Sequence, residues 1–71
     1  MNRTAYISRK RIAGGDWNLA LIGFENGEVS TFYATCEVPD DSMLLALADE
    51  FLYGVAAAKD LDVKARRGND E

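Results

Sequence analysis

The sequence contains no histidine and only one cysteine, Cys36, among its 71 residues. Without histidine, the chain lacks the side chain that most often serves as a general base or metal ligand near neutral pH. A lone cysteine excludes an internal disulfide and a metal site built from several thiolates, and Cys36 is predicted to be an inert, buried thiol. The acidic pairs Asp40-Asp41 and Asp49-Glu50 are sequence neighbours, which point in different directions on a helix and form no catalytic pair. No enzymatic activity, metal ion or cofactor is predicted.

Long apolar runs are also missing. None approaches the ~20 residues of a membrane-spanning helix, and Met1-Asn2-Arg3-Thr4 lacks the apolar core of a secretion signal. The expectation is a cytoplasmic protein without a membrane partner. A chain of this length buries only about 60% of the surface that its unfolded form exposes, so its stability is expected to be marginal unless it associates. We expect one domain over residues 1–65 and a disordered tail over residues 66–71.

Basic residues are scarce in the middle of the chain. The net charge is −4, and Lys59 is the only base between Ile12 and Asp62, a stretch with ten acidic residues. The remaining Lys and Arg residues lie near the two ends of the sequence. This distribution favours a basic protein partner over nucleic acid, although an acidic surface can also serve solubility alone.

The local signal that organises the chain is Asn26-Gly27, which lies between two apolar runs rich in β-forming residues. Asn-Gly is the preferred pair for a two-residue hairpin turn, because both residues tolerate positive φ. A two-residue turn places Phe24 opposite Val29 and Leu21 opposite Phe32. Since side chains alternate along a strand, this register divides the hairpin into two faces.

One face of this hairpin is predicted to lie in the core, and the other is unusually apolar for a solvent-exposed face. The core face carries Trp17, Leu19, Leu21, Phe32, Ala34 and Cys36. The second face carries Asn18, Ala20, Ile22, Phe24, Val29, Thr31, Tyr33 and Thr35.

A first strand is predicted over Thr4–Arg11, and Gly14-Gly15 marks the turn into the second strand. A two-residue Gly-Gly loop would place Tyr6 opposite Gly23, and Arg9 and Arg11 on the same side as Phe24. A loop one residue longer would exchange these faces.

A helix is predicted after the third strand, which should end before Pro39. The sequence Pro39-Asp40-Asp41-Ser42 is typical of a helix start, because short oxygen-bearing side chains cap the first amide groups. From Met43 the apolar period becomes about 3.6. The stripe predicted to face the sheet contains Leu44, Leu47, Ala48, Phe51, Val55 and Ala58, with Leu45, Leu52 and Ala56 beside it. The helix is expected to end near Lys59 or Asp60, followed by an extended segment at Leu61–Val63, unless it continues to Arg67.

The predicted fold is α+β, with a three-stranded antiparallel meander packed on one C-terminal amphipathic helix (β-β-β-α). One helix covers one face of such a sheet, so the second face would leave an apolar patch exposed. Its predicted members are Ala20, Ile22, Phe24, Val29 and Tyr33. If the third strand lies at an edge, its uncharged segment Ser30–Cys36 also lacks the usual protection against pairing with another chain. Either surface is a candidate for homodimer formation.

In its size, acidity, β-β-β-α plan and lack of catalytic residues, the chain resembles the small inhibitors of phages and mobile elements, anti-CRISPR proteins among them. This resemblance implies an inhibitor that occludes a basic, nucleic-acid-binding surface of a host complex. The acidic residues expected to contact such a partner are Glu25, Glu28, Glu37, Asp40 and Asp41. Two alternatives remain: an antitoxin-like subunit, and an RNA-binding module that uses Phe24 and Tyr33 with Arg9 and Arg11.

Overall fold

The chain folds into a four-stranded sheet with one helix packed on one face. The computed structural model describes residues 3–25 and 28–69, and for residue 25 and residues 65–69 it describes the backbone only. The elements are β1 (Arg3–Arg11), β2 (Trp17–Glu25), β3 (Glu28–Val38), α1 (Ser42–Ala58) and β4 (Leu61–Asn69). The strand order is β3-β2-β1-β4; β1 is antiparallel to β2 and parallel to β4, and β2 is antiparallel to β3. The α+β class is confirmed. The three-stranded meander is wrong, because β4 adds a parallel strand.

The strand β4 follows a sharp end of the helix. Lys59 is the C-cap of α1, and the next residue, Asp60, has a positive φ of 59°, as is common just after the end of a helix. The extended segment expected at Leu61–Val63 is therefore the start of a nine-residue strand. This strand continues to Asn69, over most of the segment 66–71 that was expected to be a disordered tail; residues 70 and 71 lie outside the described residues.

The loop between β1 and β2 is longer than the predicted Gly-Gly turn. A short 3₁₀ turn occupies Ala13–Gly15, and both glycines have positive φ, 88° for Gly14 and 89° for Gly15. The first pair of the ladder is Arg11 with Trp17, so Tyr6 lies opposite Ile22 rather than Gly23. This shift by one residue exchanges the faces of β1.

The β2–β3 hairpin has the predicted register at its tip and a different register farther along. Phe24 lies opposite Val29, as predicted, but Leu21 lies opposite Ala34 instead of Phe32. The shift arises from two bulges in β3, at Ser30 and at Tyr33, each of which inserts one unpaired residue. The predicted turn residues 26 and 27 lie outside the described residues.

The helix begins where the sequence indicated. Asp41 is the N-cap, and its Oδ1 accepts hydrogen bonds from the backbone amides of Met43 (2.9 Å) and Leu44 (3.1 Å). The face that packs on the sheet is not the predicted one. The buried residues of α1 are Leu45, Ala48, Asp49, Leu52 and Ala56. Of the predicted stripe only Ala48 is buried, and the acidic residue Asp49, outside that stripe, is only 8% exposed.

The core lies between α1 and the inner face of the sheet, which is the face that contacts the helix. It consists of Ala5, Ile7, Trp17, Leu19, Leu21, Leu45, Ala48, Leu52, Ala56 and Leu61. The prediction of a core role for Trp17, Leu19 and Leu21 is confirmed. Ala34 and Cys36 pack against this core and are partly buried, whereas Phe32 is 60% exposed and its predicted core role is wrong.

Within residues 3–25 and 28–69, no helix is long and apolar enough to cross a membrane.

Candidate protein-binding surface

The outer face of the sheet, opposite α1, carries an apolar cluster close to the tip of the β2–β3 hairpin. Tyr6, Ile22 and Phe32 form a row across three strands, because Ile22 pairs with both of its neighbours. Phe24 and Val29 pair in the next row, and the rings of Tyr6 and Phe24 meet edge to face with centroids 5.5 Å apart. We call these five residues the outer patch.

The outer patch is most exposed on the edge strand β3. Val29 is 63% exposed and Phe32 is 60% exposed, while Tyr6, Ile22 and Phe24 are half-buried by their neighbours in the sheet. Together they present on the order of 300 Å² of apolar surface, which is typical of a functional patch. The other end of the outer face is polar, since the Asn18 amide donates a hydrogen bond to the Thr35 hydroxyl (3.1 Å). The apolar surface is therefore confined to the hairpin tip.

Three of the five residues predicted for an apolar patch, Ile22, Phe24 and Val29, belong to the outer patch. Ala20 lies on the outer face but is buried, at 6% exposure. Tyr33 lies on the inner face: a Cβ built at Gly23, on the buried side of β2, would come within 2.6 Å of the Tyr33 ring. The bulges explain this difference, because Phe32 takes the outward position and Tyr33 covers Gly23.

The predicted acidic contact residues lie at opposite ends of β3. Glu28 is exposed at the hairpin tip, where it pairs with Glu25 of β2. Glu37 lies nine positions along the strand, about 30 Å away at the usual rise per residue. Among the acidic contact residues whose side chains the structure describes, only Glu28 adjoins the outer patch, as the sequence neighbour of Val29. Asp40 and Asp41 follow the far end of β3, and both already have partners within the fold.

Asp40 belongs to a cluster around the Trp17 indole. Its Oδ1 accepts a hydrogen bond from Trp17 Nε1 (3.1 Å), and its Oδ2 lies 3.4 Å from the Arg11 guanidinium. The guanidinium carbons of Arg11 and Arg9 lie 4.4 Å and 5.1 Å from the Trp17 ring centroid, within the range of cation–π contacts. The Trp17 hydrogen bond and the charge of Arg11 hold the pKa of the Asp40 carboxyl below its ordinary value. Arg9 and Arg11 thus lie on the inner face, not beside Phe24.

Asp40→Asn is expected to make folding less sensitive to acid. Because the folded state lowers the pKa of Asp40, the carboxylate contributes stability above the pKa of the unfolded chain and loses it as the pH falls through the folded pKa. The difference in unfolding free energy between wild type and variant should shrink from about pH 6 to about pH 2. Denaturant titrations of both proteins across this pH range measure this difference. A difference in unfolding free energy that does not change with pH would contradict the lowered pKa of Asp40.

The helix carries a second apolar surface, and three of its residues, Leu44, Leu47 and Phe51, were predicted to face the sheet. Met43 is 72% exposed, Leu44 39%, Leu47 56% and Phe51 58%. Because these residues recur three and four positions apart, they lie on one side of α1. We call these four residues the helix stripe.

No family model, curated protein or solved structure matches this chain. Across the described side chains, no three Cys, Asp or Glu residues are placed to hold a metal ion. Cys36 is partly buried on the inner face, and this burial, together with the charge of Asp49, raises the pKa of its thiol. The thiol therefore stays protonated at neutral pH, where thiolate chemistry would be slow. The geometry leaves the two apolar surfaces as the candidate functional features.

Proposed function

We propose that the chain is a non-enzymatic protein-binding module whose target contacts the outer patch. The observation that supports this proposal is the row Tyr6–Ile22–Phe32, which lies on a sheet face without a covering element in the described part of the chain. Burying the apolar area of the whole outer patch, on the order of 300 Å², would contribute roughly 7 kcal/mol before the costs of association are subtracted. Aromatic side chains in such a position are typical binding hot spots.

The chemistry of the partner follows from the hairpin tip. Glu28 is exposed beside Val29 of the outer patch, and Glu25 pairs with it across the turn. The exposed carboxylate of Glu28 favours a partner that presents Lys or Arg beside an apolar contact. A basic, nucleic-acid-binding surface of a host complex fits this description, and an inhibitor of the anti-CRISPR type would act by occluding it. The simple β-β-β-α plan does not support this proposal, since the chain has a fourth strand.

We favour target binding through the side chains of the outer patch over binding in which a strand of the target pairs with the edge strand β3. The strand lies at an edge of the sheet, and no charged residue interrupts Ser30–Cys36. However, the bulges at Ser30 and Tyr33 distort its backbone, and such distortions are one way in which edge strands avoid pairing. The RNA-binding alternative is weakened because Arg9 and Arg11 lie on the face opposite Phe24.

The test compares capture by wild type, Phe32→Asp and Leu47→Asp from nuclease-treated lysate of the cells in which the gene is expressed. Leu47 is a matched control because it is apolar and exposed to a similar extent, 56% against 60% for Phe32. A protein captured by wild type and Leu47→Asp is then purified, and its affinity is measured by calorimetry. Phe32→Asp should raise the dissociation constant at least about 30-fold, as expected for loss of a hot-spot aromatic. Glu28→Lys should weaken binding mainly at low salt.

Three results would contradict the proposal. One is a captured protein that binds Phe32→Asp as tightly as wild type. Another is the absence of any captured protein that rebinds after purification. The third is tight binding of a labelled single-stranded RNA that Phe32→Asp abolishes, which would assign the outer patch to stacking of bases.

A further inference from the structure

The sheet separates its charges by strand. Of the eight Lys and Arg residues in the chain, β1 carries four and β4 carries three, and Asp62 is the only acidic residue in these two strands. The other two strands, β2 and β3, carry no base and three glutamates. Because the strand order is β3-β2-β1-β4, the two basic strands are neighbours. A chain that is acidic overall therefore has one strongly basic side.

Parallel pairing brings two basic segments from the two ends of the sequence to the same end of this side. Arg66 and Arg67 of β4 pair with Ile7 and Ser8 of β1, and the segment Arg9–Arg11 follows directly. The antiparallel alternative would have placed the two segments at opposite ends of the strands. We call this cluster the basic corner; its residues are Arg9, Lys10, Arg11, Arg66 and Arg67.

Within the basic corner, Arg9 is held by a ring contact rather than by an acidic partner. Its guanidinium carbon lies 5.1 Å from the Trp17 ring centroid. Its Nε is buried without a hydrogen-bond partner in the described part of the chain, and Arg9 forms no ion pair with the described side chains. The two oxygens of Asp40 already accept hydrogen bonds from Trp17 and Arg11. A guanidinium oriented in this way keeps its charge for an oxyanion.

The outer side of the basic corner is polar. Lys10 is exposed, and Asn18 lies opposite it in β2. Arg67 pairs with Ser8, two positions before Lys10, so the Cα atoms of Lys10 and Arg67 lie about 8 Å apart at the usual strand spacings. The outer patch lies at the other end of this face. A protein partner would find no apolar contact beside these bases, whereas interfaces with nucleic acid are polar and positively charged.

We propose that the basic corner binds the phosphate backbone of a nucleic acid, independently of the protein target of the outer patch. The expectation against nucleic acid rested on the acidic stretch between Ile12 and Asp62, and no residue of the basic corner lies in that stretch. The contact is to the backbone and not to the bases, because Trp17, the aromatic residue at this end of the sheet, is only 7% exposed and is not free to stack on a base.

The test measures binding of the full chain to a labelled single-stranded RNA by fluorescence anisotropy, at salt concentrations from about 25 to 200 mM. Single-stranded DNA and duplex DNA of the same sequence are separate arms, and the tightest arm identifies the kind of nucleic acid. Arg11 is already paired with Asp40, so three contacts are expected, from Arg9, Lys10 and Arg67. The logarithm of the RNA-binding constant should then fall with the logarithm of the salt concentration with a slope of about −2.

Lys10→Gln/Arg67→Gln removes two of these contacts, so the slope should become shallower by about 1.4, and the dissociation constant at low salt should rise at least about tenfold. Lys10→Gln alone, at an exposed strand position, should change the slope by about 0.7. The matched control is Arg3→Gln/Lys59→Gln. It removes the same charge near the start of β1, where Arg3 donates a hydrogen bond to the Lys59 carbonyl (2.7 Å), and it should bind like wild type.

Three results would overturn the proposal. One is wild type that leaves all three nucleic acids unbound at about 25 mM salt and about 200 µM protein, although nonspecific binding is normally detectable there. Another is a control pair that weakens binding as much as Lys10→Gln/Arg67→Gln does, which would show an effect of net charge alone. The third is equally tight binding of polyglutamate, which would assign the basic corner to an acidic protein. Phe32→Ala should bind nucleic acid like wild type, so the basic corner and the outer patch can fail separately.

Discussion

Leu52→Ala is expected to lower the free energy of unfolding by about 2–5 kcal/mol, whereas Phe51→Ala should lower it by less than about 1 kcal/mol. Leu52 is fully buried between α1 and the sheet, and truncating it leaves a cavity. The neighbouring side chain of Phe51 is 58% exposed, and alanine is a better helix former than phenylalanine. For so small a domain, the Leu52 change alone is expected to remove much of the total stability.

Denaturant titrations of the two variants and the wild type measure both changes in the free energy of unfolding. The sequence periodicity alone predicts the opposite ranking, with Phe51 in the stripe that faces the sheet. A Phe51→Ala protein that is much less stable than Leu52→Ala would therefore show that α1 is rotated about its axis relative to the structure.

Gly23→Ala is expected to cost about 1–3 kcal/mol, because its Cβ would lie 2.6 Å from the Tyr33 ring and the ring would have to move. Alanine itself suits a strand better than glycine, so the cost comes from this contact alone. In a Tyr33→Ala background the same substitution should cost little.

A double-mutant cycle on Gly23 and Tyr33 separates this contact from other effects. Unfolding free energies of the four proteins should give a coupling of about 1–2 kcal/mol, since the two residues touch. If the effects of the Gly23 and Tyr33 substitutions add to within about 0.5 kcal/mol, the two residues do not touch. Tyr33 would then lie elsewhere, for example on the outer face, where a hairpin without bulges would place it.

The sequence correctly predicts the hairpin register near the turn, because that register depends only on the turn residues. The Asn26-Gly27 pair correctly predicted the pairing of Phe24 with Val29. It could not predict the bulges, because nothing about Ser30 or Tyr33 as residue types demands an extra unpaired position. Each bulge adds one unpaired residue to β3, so the second bulge restores the alternation of side chains that the first one shifts. Ala34 and Cys36 therefore face the core as predicted, and only the residues between the two bulges lie on the face opposite to the predicted one.

The helix shows a different limit of periodicity. Because α1 is apolar on most sides, the stripe through Leu47 and Phe51 and the stripe through Leu45 and Leu52 are equally good core faces in the sequence. The structure buries the second, in which small residues alternate with leucines. The strand β4, by contrast, left a readable signal: apolar and charged residues alternate from Leu61 to Lys64, a period of two.

The candidate site was predicted in part for the same reasons. Ile22, Phe24 and Val29 lie on the outer face, as expected, since they depend on the register at the tip. Tyr6 and Phe32 were missed because they depend on the loop length at Gly14-Gly15 and on the bulges. The predicted acidic contact residues do not form one cluster, because Glu28 and Glu37 lie near opposite ends of the eleven-residue strand β3.

The most direct test of target binding through the outer patch is cross-saturation NMR of the perdeuterated, amide-labelled chain bound to its unlabelled captured partner. Signal loss should centre on the amides of Ile22, Phe24, Val29 and Phe32 and decrease towards the polar end of the outer face. Signal loss confined to α1 or to β4, with the amides of the outer patch unaffected, would contradict the account.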